Sequence, residues 1–362
     1  MSAVHQFLPS FAAGDAIGHH VRRLQRVLRE AGYDSEIFAD QTQPAVRRLA
    51  RHYREFTPSS NGQATWLLYH LSTGSPMAGF LAGAGQPLAV YYHNITPARF
   101  FERWEPDATD SARAARSQLR HLASPSRFAM ANSSYSAEEL RAAGYANVSV
   151  VPVLVDFAEY DAPPDRATLE RLHQRAAGGG ANWLFVGRLT PNKCQHDVIG
   201  AFALYRELFD PAARLYLIGG RTSLLYWEGL GLLAEELGCA EAVEITDVLT
   251  FSEVLAHYRA ADVFVSLSEH EGFCVPLLEA MYFDVPVVAL DSTAVAETVG
   301  EAGLVLPGKD PLEVACAVHR VTTDAGLRAG MVAAGRRRVE HFSFANNRAR
   351  LLAALDAGLS SG

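Results

Sequence analysis

Short runs of β-branched and aromatic residues alternate along the chain with segments whose apolar residues recur at helical spacing. Residues 19–33 show the helical spacing most clearly, with apolar residues on one face and arginines on the other. Strands that alternate with helices are typical of βαβ units, in which the strands pair in parallel. In the first half of the chain the pattern predicts strands at 3–8, 35–40, 65–72, 88–94, 127–133 and 148–155.

The alternation stops at residues 161–181 and then starts again. This segment has a Pro-Pro pair and three consecutive glycines around one short helical pattern, which is a linker composition. We therefore expect an N-terminal domain over 1–165, a C-terminal domain over 166–342 and a last helical segment over 343–362. The strands predicted after the linker are 182–189, 213–220, 242–248, 261–268, 285–292 and 303–308.

Each half is predicted to be an α/β domain with a doubly wound, Rossmann-like parallel sheet. In such sheets ligands bind outside the carboxyl ends of the strands. Two domains of this kind are expected to face each other across a cleft that holds the ligand. Residues that directly follow predicted strands are therefore the candidates for the site.

Composition narrows the class of protein. The chain has 362 residues, more than one core usually supports, and this agrees with two domains. Its net charge of −8 argues against nucleic-acid binding over a basic surface. The four cysteines have no CxxC spacing, and neither a signal-peptide pattern nor a membrane-length apolar stretch is found in the sequence. A cytoplasmic enzyme is the expectation.

Two cations follow the first strand of the second half, in the sequence GRLTPNK at 187–193. Arg188 can offer a bidentate fork and Lys193 a mobile point charge, and such a pair suits a diphosphate. The same residues are equally compatible with two solvent-exposed cations in a loop.

Residues 269–279, EHEGFCVPLLE, place a carboxylate at each end of a predicted strand-to-helix turn. Glu271 is expected in the loop and Glu279 in the first helical turn, because Pro276 suits the first position of a helix. A capping carboxylate would explain one glutamate but explains the second less well. Amides at a helix N-terminus attract phosphate oxygens, and those expected here belong to Gly272, Phe273, Cys274 and Val275.

The N-terminal half offers weaker candidates. Gly14 and Gly18 flank the entry to the first helix, where the backbone could approach a ligand closely, although a plain turn is an equal alternative. His93 and Asn94 end one predicted strand, and His70 ends the preceding one. A single histidine at a strand end is more often structural than catalytic. No Asp pair has DxD spacing and no HExxH, GxSxG or GxGxxG is found, so neither a metal nor another cofactor is expected.

Taken together, these features resemble the retaining glycosyltransferases of family 4, glycosyl transferases group 1, which have the GT-B fold. The resemblance spans nearly the whole chain and is strongest from FVGRLTPNK to AETVGEAGLVL. Glu271 and Glu279 match the paired glutamates of that family, and Arg188 with Lys193 matches its diphosphate-binding pair. Cys274 departs from the pattern, because members usually have a small residue such as glycine there. YYHNITP is similar to a segment of bacterial polysaccharide mannosyl- and glucosyltransferases.

The resemblance implies how the phosphates and the base of a nucleotide sugar would be bound. Arg188 and Lys193 would neutralise the pyrophosphate as it leaves. Gly14 would let the N-terminal loop approach the same phosphates. Backbone groups around Val248 would line the nucleobase.

It also implies how the two sugars would be bound. Glu279 would accept hydrogen bonds from the ribose hydroxyls. Glu271 would bind hydroxyls of the transferred sugar, with the amides of Phe273 and Cys274 nearby. His93 would face that sugar and the incoming acceptor.

The implied activity is transfer of a hexose with retention of configuration, by front-face attack, to a hydroxyl of a glycan, a lipid-linked or a small-molecule acceptor. GDP-mannose is the favoured donor and UDP-glucose the next, and no metal is required. Two alternatives stay open, a GT-B sugar-nucleotide epimerase and a catalytically silent protein that binds nucleotide sugars. EGFCVPLLE argues against the first, and the complete set of charged residues argues against the second.

Two groups of arginines in the N-terminal half bear on where the acceptor lies. Solvated helix faces are the simpler interpretation. Contact with anionic lipid is the alternative, since such residues contribute about 1 kcal/mol each near a charged membrane surface. We therefore expect a cytoplasmic protein, with peripheral contact at the inner face of the membrane as a hypothesis. The arginines are Arg22, Arg23, Arg26, Arg29, Arg47, Arg48, Arg51 and Arg54.

Overall fold

The computed structural model describes residues 3–12, 14–58, 64–176 and 178–360, and the chain divides into two compact units. The first unit consists of Met1–Glu102, Pro106–Val155 and Ser343–Gly362. The second consists of Arg103–Glu105 and Asp156–Phe342.

The first unit is built on a seven-stranded sheet in the order β3-β2-β1-β4-β5-β6-β7, in which all pairs are parallel. The strand order reverses between β1 and β4, and ligands bind at this point in folds of this type. Its strands are β1 (Ala3–Phe11), β2 (Ile37–Thr42), β3 (Arg51–His52), β4 (Thr65–Leu71), β5 (Leu88–Tyr92), β6 (Ser126–Ala131) and β7 (Val148–Val150). Its first four helices are α1 (Ala16–Glu30), α2 (Met77–Ala82), α3 (Pro106–His121) and α4 (Ser134–Ala142).

The second unit has a six-stranded parallel sheet in the order β10-β9-β8-β11-β12-β13, which reverses between β8 and β11. Its strands are β8 (Asn182–Val186), β9 (Arg214–Ile218), β10 (Val243–Thr246), β11 (Val263–Ser266), β12 (Val287–Leu290) and β13 (Gly303–Leu306). Its helices are α5 (Arg166–Ala176), α6 (Gln195–Leu208), α7 (Leu224–Glu236), α8 (Phe251–Ala260), α9 (Val275–Tyr282), α10 (Val295–Val299), α11 (Pro311–Thr323) and α12 (Ala325–His341).

The last helix, α13 (Phe344–Ser360), packs into the core of the first unit. Leu351 and Leu355 are buried in the same cluster as Leu24 and Val27 of α1. Asn347 is also buried, and its side-chain amide donates to the carbonyl of Val153 at 3.1 Å. The C-terminal segment of the chain therefore completes the N-terminal unit.

The apolar patterns predicted the sheets well, because parallel strands are buried on both faces and stand out as continuous apolar runs. All twelve predicted strands are confirmed, with ends that differ by a few residues. The two-residue strand β3 was missed, because both of its side chains are exposed and give no apolar signal.

The predicted boundary at 165/166 differs from the observed division between Val155 and Asp156. The predicted linker contains α5, in which Leu172 is fully buried and Arg171 donates to Glu244 at 2.8 Å. Proline and glycine marked where regular structure is interrupted, but the packing of α5 assigns this segment to the second unit.

Candidate functional site

The centre of the site in the second unit is an ion pair at the carboxyl ends of β8 and β11. Lys193 follows β8 in a short 3-10 turn, and its Nζ lies 2.5 Å from Oε1 of Glu271, which follows β11. The lysine side chain is 17% exposed and the glutamate side chain 7%. These two strands are neighbours across the reversal of the sheet. The structure therefore brings together Lys193, the second of the predicted cations, and Glu271, one of the predicted carboxylates.

Backbone and side-chain hydrogen bonds hold the two strand-end loops together. The amide of Glu269 donates to the carbonyl of Asn192 at 2.9 Å, and the Asn192 side chain donates to the carbonyl of His270 at 3.1 Å. The amide of Glu271 donates to Oγ1 of Thr293 at 2.8 Å. Glu271 is thus fixed through its main chain, and its carboxylate is left to face Lys193.

The loop after Glu271 leads into α9 through a residue with left-handed backbone geometry. Cys274 is the N-cap of α9 and has φ 68° and ψ 68°. This conformation favours glycine, which explains why a small residue suits the position. Burial raises the pKa of the Cys274 thiol well above its usual value, and the Glu271 carboxylate adds to that effect. The thiol is therefore neutral, and it places no negative charge at the start of the helix.

The amides at the start of α9 have no acceptor among the residues that the structure describes. Among the described residues, no oxygen accepts a hydrogen bond from the main-chain N–H groups of four successive residues. Unpaired N–H groups at a helix N-terminus attract anions, because the helix dipole adds to their partial positive charge. The four residues are Gly272, Phe273, Cys274 and Val275.

Glu279 lies beyond the first turn of α9, which corrects the prediction that it would belong to that turn. The helix begins at Val275, and Pro276 is its second residue rather than its first. The Glu279 carboxylate accepts two short hydrogen bonds, from the Tyr160 hydroxyl at 2.5 Å and from the Tyr258 hydroxyl at 2.6 Å. Burial raises the pKa of the Tyr258 phenol well above its usual value, and Glu279 raises it further.

Arg188 and Val248 lie at strand ends of the same sheet. Arg188 follows β8, its side chain is exposed, and its carbonyl accepts a hydrogen bond from Gln195 at 2.9 Å. Within the part of the chain that the structure describes, its guanidinium contacts no carboxylate. Val248 follows β10 and is 74% exposed. Both residues are accessible at the edge where the ion pair lies.

In the first unit, Gly14 and Gly18 shape the loop from β1 into α1. Gly14 has φ 77°, a left-handed conformation, and Asp15 caps the helix by accepting from the amide of Gly18 at 3.4 Å. A side chain at position 18 would bring its Cβ to 2.8 Å from the carbonyl of Ala12. The closeness of the loop and the helix therefore requires glycine at position 18.

His93 does not stand alone at its strand end, because it lies in a buried group with His20 and His70. His70 Nδ1 is 2.9 Å from His93 Nε2, and His70 Nε2 is 3.1 Å from Oε1 of Gln6 on β1. The amide of Leu154 donates to His20 Nδ1 at 3.0 Å. Asn94, next in sequence, donates to Ser136 at 3.2 Å and therefore has a structural role.

The three histidines have ring nitrogens within 4.8 Å of one another, a spacing that a metal ion could bridge. The hydrogen bond from Leu154 argues against such a site. Because Nδ1 of His20 accepts a backbone N–H, a neutral His20 has its proton on Nε2 and has no second lone pair for a metal. Burial lowers the pKa of His93 to about 3 and holds the pKa values of His20 and His70 well below the usual value.

Several residues of these arrangements, among them His20, were not predicted. Gln6 lies in an apolar strand pattern, and Tyr258 lies in a helical pattern that gave no functional signal. Tyr160 precedes the predicted linker, with no motif around it. Only the folded structure shows that their polar atoms contact candidate residues.

Several of the predicted surface arginines make contacts within the first unit. Arg23 donates to the carbonyl of Leu154 at 3.0 Å, Arg29 donates to that of Ser35 at 2.7 Å, and Arg26 lies over the Phe344 ring at 4.9 Å. Arg51 pairs with Glu36 at 3.1 Å. These side chains are not simply solvated. None of the helices in the described ranges is long and apolar enough to cross a membrane.

Two Rossmann-like units, each with a reversing parallel sheet, give the chain the GT-B fold. Residues 172–338 match the family described as glycosyl transferases group 1. Sucrose-phosphate synthase from Thermosynechococcus elongatus has the same fold, with a TM-score of 0.78 at 16% identity and full coverage of both chains. A structure of Anabaena HepE with UDP and glucose gives a TM-score of 0.76 at 17% identity, over 98% of this chain and 100% of that one.

Curated relatives match part of the chain at higher identity. A GDP-mannose-dependent alpha-(1-6)-phosphatidylinositol monomannoside mannosyltransferase of Mycobacterium tuberculosis is 32% identical over 234 residues, 61% of this chain and 59% of the relative. A D-inositol 3-phosphate glycosyltransferase of Kineococcus radiotolerans is 32% identical over 57% of this chain and 51% of the relative. The chain therefore spans between half and two thirds of the length of these two relatives.

Proposed function

We propose that the protein is a hexosyltransferase that uses a nucleotide-diphosphate sugar, retains the configuration of the transferred sugar and needs no metal. The observation that carries this proposal is the 2.5 Å ion pair of Lys193 and Glu271 beside the unpaired amides of α9. A cation, amide donors and a carboxylate thus lie together at the reversal of one sheet. The combination suits a ligand that has both a diphosphate and a sugar with several hydroxyls.

The cations act on the leaving group. As the bond between the sugar and the phosphate breaks, negative charge grows on the pyrophosphate, and donors that are already in place stabilise it without reorganisation. Lys193 is held by Glu271 before the donor binds, while Arg188 is exposed and can form a bidentate contact. The amides of α9 supply further hydrogen bonds to the phosphate oxygens.

The carboxylates and a histidine bind the uncharged parts of the substrates. Glu271 accepts hydrogen bonds from hydroxyls of the transferred sugar, and Glu279 accepts from the ribose. His93, in the first unit, contacts a hydroxyl of the sugar or of the acceptor. The acceptor attacks from the face that the phosphate leaves, and the phosphate takes the acceptor's proton.

The favoured donor is GDP-mannose, with UDP-glucose next, and the acceptor is a glycan or a lipid-linked or small-molecule hydroxyl. The mycobacterial relative, named as GDP-mannose-dependent, supports the first choice. The names of the relatives further suggest an acceptor with an inositol group. Cytoplasmic location with peripheral contact at anionic lipid stays a proposal, and it has to rest on arginines other than Arg23 and Arg29, which bond to the main chain. Absence of binding to anionic liposomes at low salt would remove it.

Donor hydrolysis and transfer test the proposal. Purified protein is incubated with GDP-mannose, UDP-glucose and related donors, and nucleoside diphosphate and hexose are measured with and without inositol acceptors. Lys193→Ala is expected to lower turnover on the order of 10²–10³-fold, the loss typical of a group that stabilises transition-state charge. Lys309→Ala is the matched control, since Lys309 is an ion-paired lysine of the same unit and pairs with Asp197 and Glu269.

Four other outcomes of these assays would contradict the proposal or one of its parts. An epimerised nucleotide sugar as product would indicate the epimerase. Tight donor binding without turnover for any acceptor would indicate a binding protein. A Lys193→Ala variant with full activity would remove the diphosphate assignment, and an inverted anomeric configuration in the product would exclude retention.

A further inference from the structure

The buried histidines of the first unit have defined protonation states. Burial depresses the pKa of each, so at neutral pH each ring has one N–H group and one lone pair. Which nitrogen has the proton is then set by the partner of the other nitrogen. The hydrogen bonds of Gln6, His20, His70 and His93 are therefore enough to assign the three tautomers.

The assignment begins at the two ends of the group. The backbone N–H of Leu154 donates to Nδ1 of His20, so the proton of His20 lies on Nε2. At the other end, Oε1 of Gln6 can only accept, and it lies 3.1 Å from Nε2 of His70. The proton of His70 is therefore on Nε2 as well, and its Nδ1 has the lone pair.

His93 follows from His70. Its Nε2 lies 2.9 Å from Nδ1 of His70, which can only accept, so Nε2 of His93 is the donor. The N–H group of His93 is thereby hydrogen-bonded to His70 and is not available to a ligand. Stacking on Tyr91, with ring centroids 4.6 Å apart, and on His70, at 5.2 Å, holds the ring in this orientation.

We propose that Gln6 and His70 are positioning residues that fix His93 as the Nε2–H tautomer, with the lone pair of Nδ1 as its remaining hydrogen-bonding position. The choice of glutamine supports this. Within the described residues, Nε2 of Gln6 is buried and has no partner, a cost that an apolar side chain at this position would avoid. The glutamine is explained if its carbonyl oxygen is needed by His70.

The consequence for the substrate rests on the proposed function. With only a lone pair to offer, His93 recognises a hydroxyl of the sugar or acceptor by accepting its hydrogen. It does not donate to a leaving group, which agrees with a mechanism in which the phosphate takes the acceptor's proton. An O-methyl derivative, whose ether oxygen can only accept a hydrogen bond, would not be bound at His93.

Nitrogen NMR of the whole protein with ¹⁵N-labelled histidine tests the tautomers directly, because protonated and unprotonated ring nitrogens differ widely in shift. The three rings are assigned by the loss of their signals in His20→Gln, His70→Gln and His93→Gln. We expect all three to have the proton on Nε2. A proton on Nδ1 of His70 or His93 would overturn the proposal, since the chain of hydrogen bonds would then run in the opposite direction.

Two substitutions at position 6 separate positioning from packing. Gln6→Met removes the acceptor at nearly the same side-chain size. His70 and His93 should then no longer be restricted to the Nε2–H tautomer. The expected loss of kcat/KM is on the order of tenfold, as for other partners that orient a histidine. Gln6→Glu keeps an oxygen acceptor and should preserve the wild-type tautomers. Unchanged tautomers in Gln6→Met would contradict the role of Gln6.

The NMR result and the activity result fail independently. If the wild-type protein transfers no hexose from any donor while His93 has its proton on Nε2, the proposed function is wrong and the positioning by Gln6 stands. If Lys193→Ala is inactive while His93 has its proton on Nδ1, the positioning is wrong and the proposed function stands.

Discussion

The two units place different chemistry at the same point of the same topology. In both sheets the reversal lies between the first strand and a neighbour, β1 and β4 in the first unit and β8 and β11 in the second. The first unit has a buried, uncharged group there, with His70 and Gln6. The second has a charged pair, Lys193 and Glu271.

This difference in charge determines which kind of ligand each group can bind. In an ion pair each partner offsets the cost of removing the other from water. Imidazoles without a carboxylate partner are neutral when buried, since desolvation disfavours the cation. The second unit is therefore suited to a charged ligand such as a diphosphate, and the first to uncharged hydroxyls.

The largest effect is expected when the charge of the second unit is removed. Glu271→Gln keeps the size of the side chain but leaves Lys193 without its partner at 2.5 Å. If Glu271 binds the transferred sugar as proposed, turnover should fall on the order of 10²–10³-fold, because a preorganised polar contact is lost. Steady-state kinetics with the best donor measure it. Glu269→Gln, an exposed neighbour in the same loop, should have a much smaller effect, and equal losses in both variants would contradict the role of Glu271.

Acid should destabilise the uncharged group of the first unit. The pKa of His93 is about 3 in the folded protein against an ordinary value of 6.5, so the unfolded chain takes up protons first as the pH falls. The contribution of His93 to stability is complete above pH 6.5 and is lost as the pH falls towards 3, by up to about 1.4 kcal/mol per pH unit. His20 and His70 add losses in the same direction.

Hydrogen exchange in β4 and β5 at pH 7.5, 6.5 and 5.5 measures this loss locally, at temperatures where the protein stays folded. The pH dependence should be weaker in His93→Gln and unchanged in His121→Gln, whose parent residue is exposed at the end of α3. An equal pH dependence in the wild type and His93→Gln would show that the buried histidine does not have the depressed pKa.

A smaller effect is expected at the hydroxyls that hold Glu279. Tyr258→Phe removes the hydrogen bond that the Tyr258 hydroxyl donates to that carboxylate and leaves the ring packing intact. Affinity for a nucleoside diphosphate should fall about tenfold, in the range of a hydrogen bond to a charged group. Calorimetric titration with the nucleotide and with its 2′- and 3′-deoxy forms measures it.

The deoxy forms separate positioning from general damage. If Tyr258 acts through Glu279 on the ribose, the variant should lose affinity for the ribonucleotide and change little for the deoxy form that lacks the bound hydroxyl. Tyr282→Phe is the matched control, because its hydroxyl donates to Asp161 at 2.6 Å rather than to Glu279. Equal losses for all nucleotides would place the ribose away from Glu279.

The sequence predicted the charged group better than the uncharged one, for a physical reason. Lys193 and Glu271 follow strands whose apolar runs are unmistakable, so their meeting at the sheet edge follows from topology. Gln6 and Tyr258 lie inside apolar patterns, where a polar group is visible but its partner is not. The partner of Gln6 is 64 residues away in the chain and becomes apparent only from the register of β1 and β4.

The predicted boundary between the units differs from the observed one for a related reason. Prolines and glycines mark interruptions of regular structure, whereas a unit is defined by which core a segment packs against. Tyr160 precedes the Pro-Pro pair, and its contact with Glu279 belongs to the second unit. Local composition contains no information about such a contact.

The smallest effect is expected at Cys274, where the backbone conformation and the side chain could each determine which residue is required. Its left-handed backbone disfavours a side chain by about 1–2 kcal/mol, and glycine would relieve this strain at an entropic cost of about 0.5–1 kcal/mol in the unfolded chain. Cys274→Gly should therefore change the free energy of unfolding by less than about 1 kcal/mol, with activity near that of the wild type. Cys316→Gly, at an exposed position inside α11, should lose about 0.3 kcal/mol, because glycine is only slightly less favourable than cysteine in a helix. Urea unfolding of both variants measures the difference, and a large loss for Cys274→Gly alone would show that its thiol, rather than its backbone, is what the start of α9 requires.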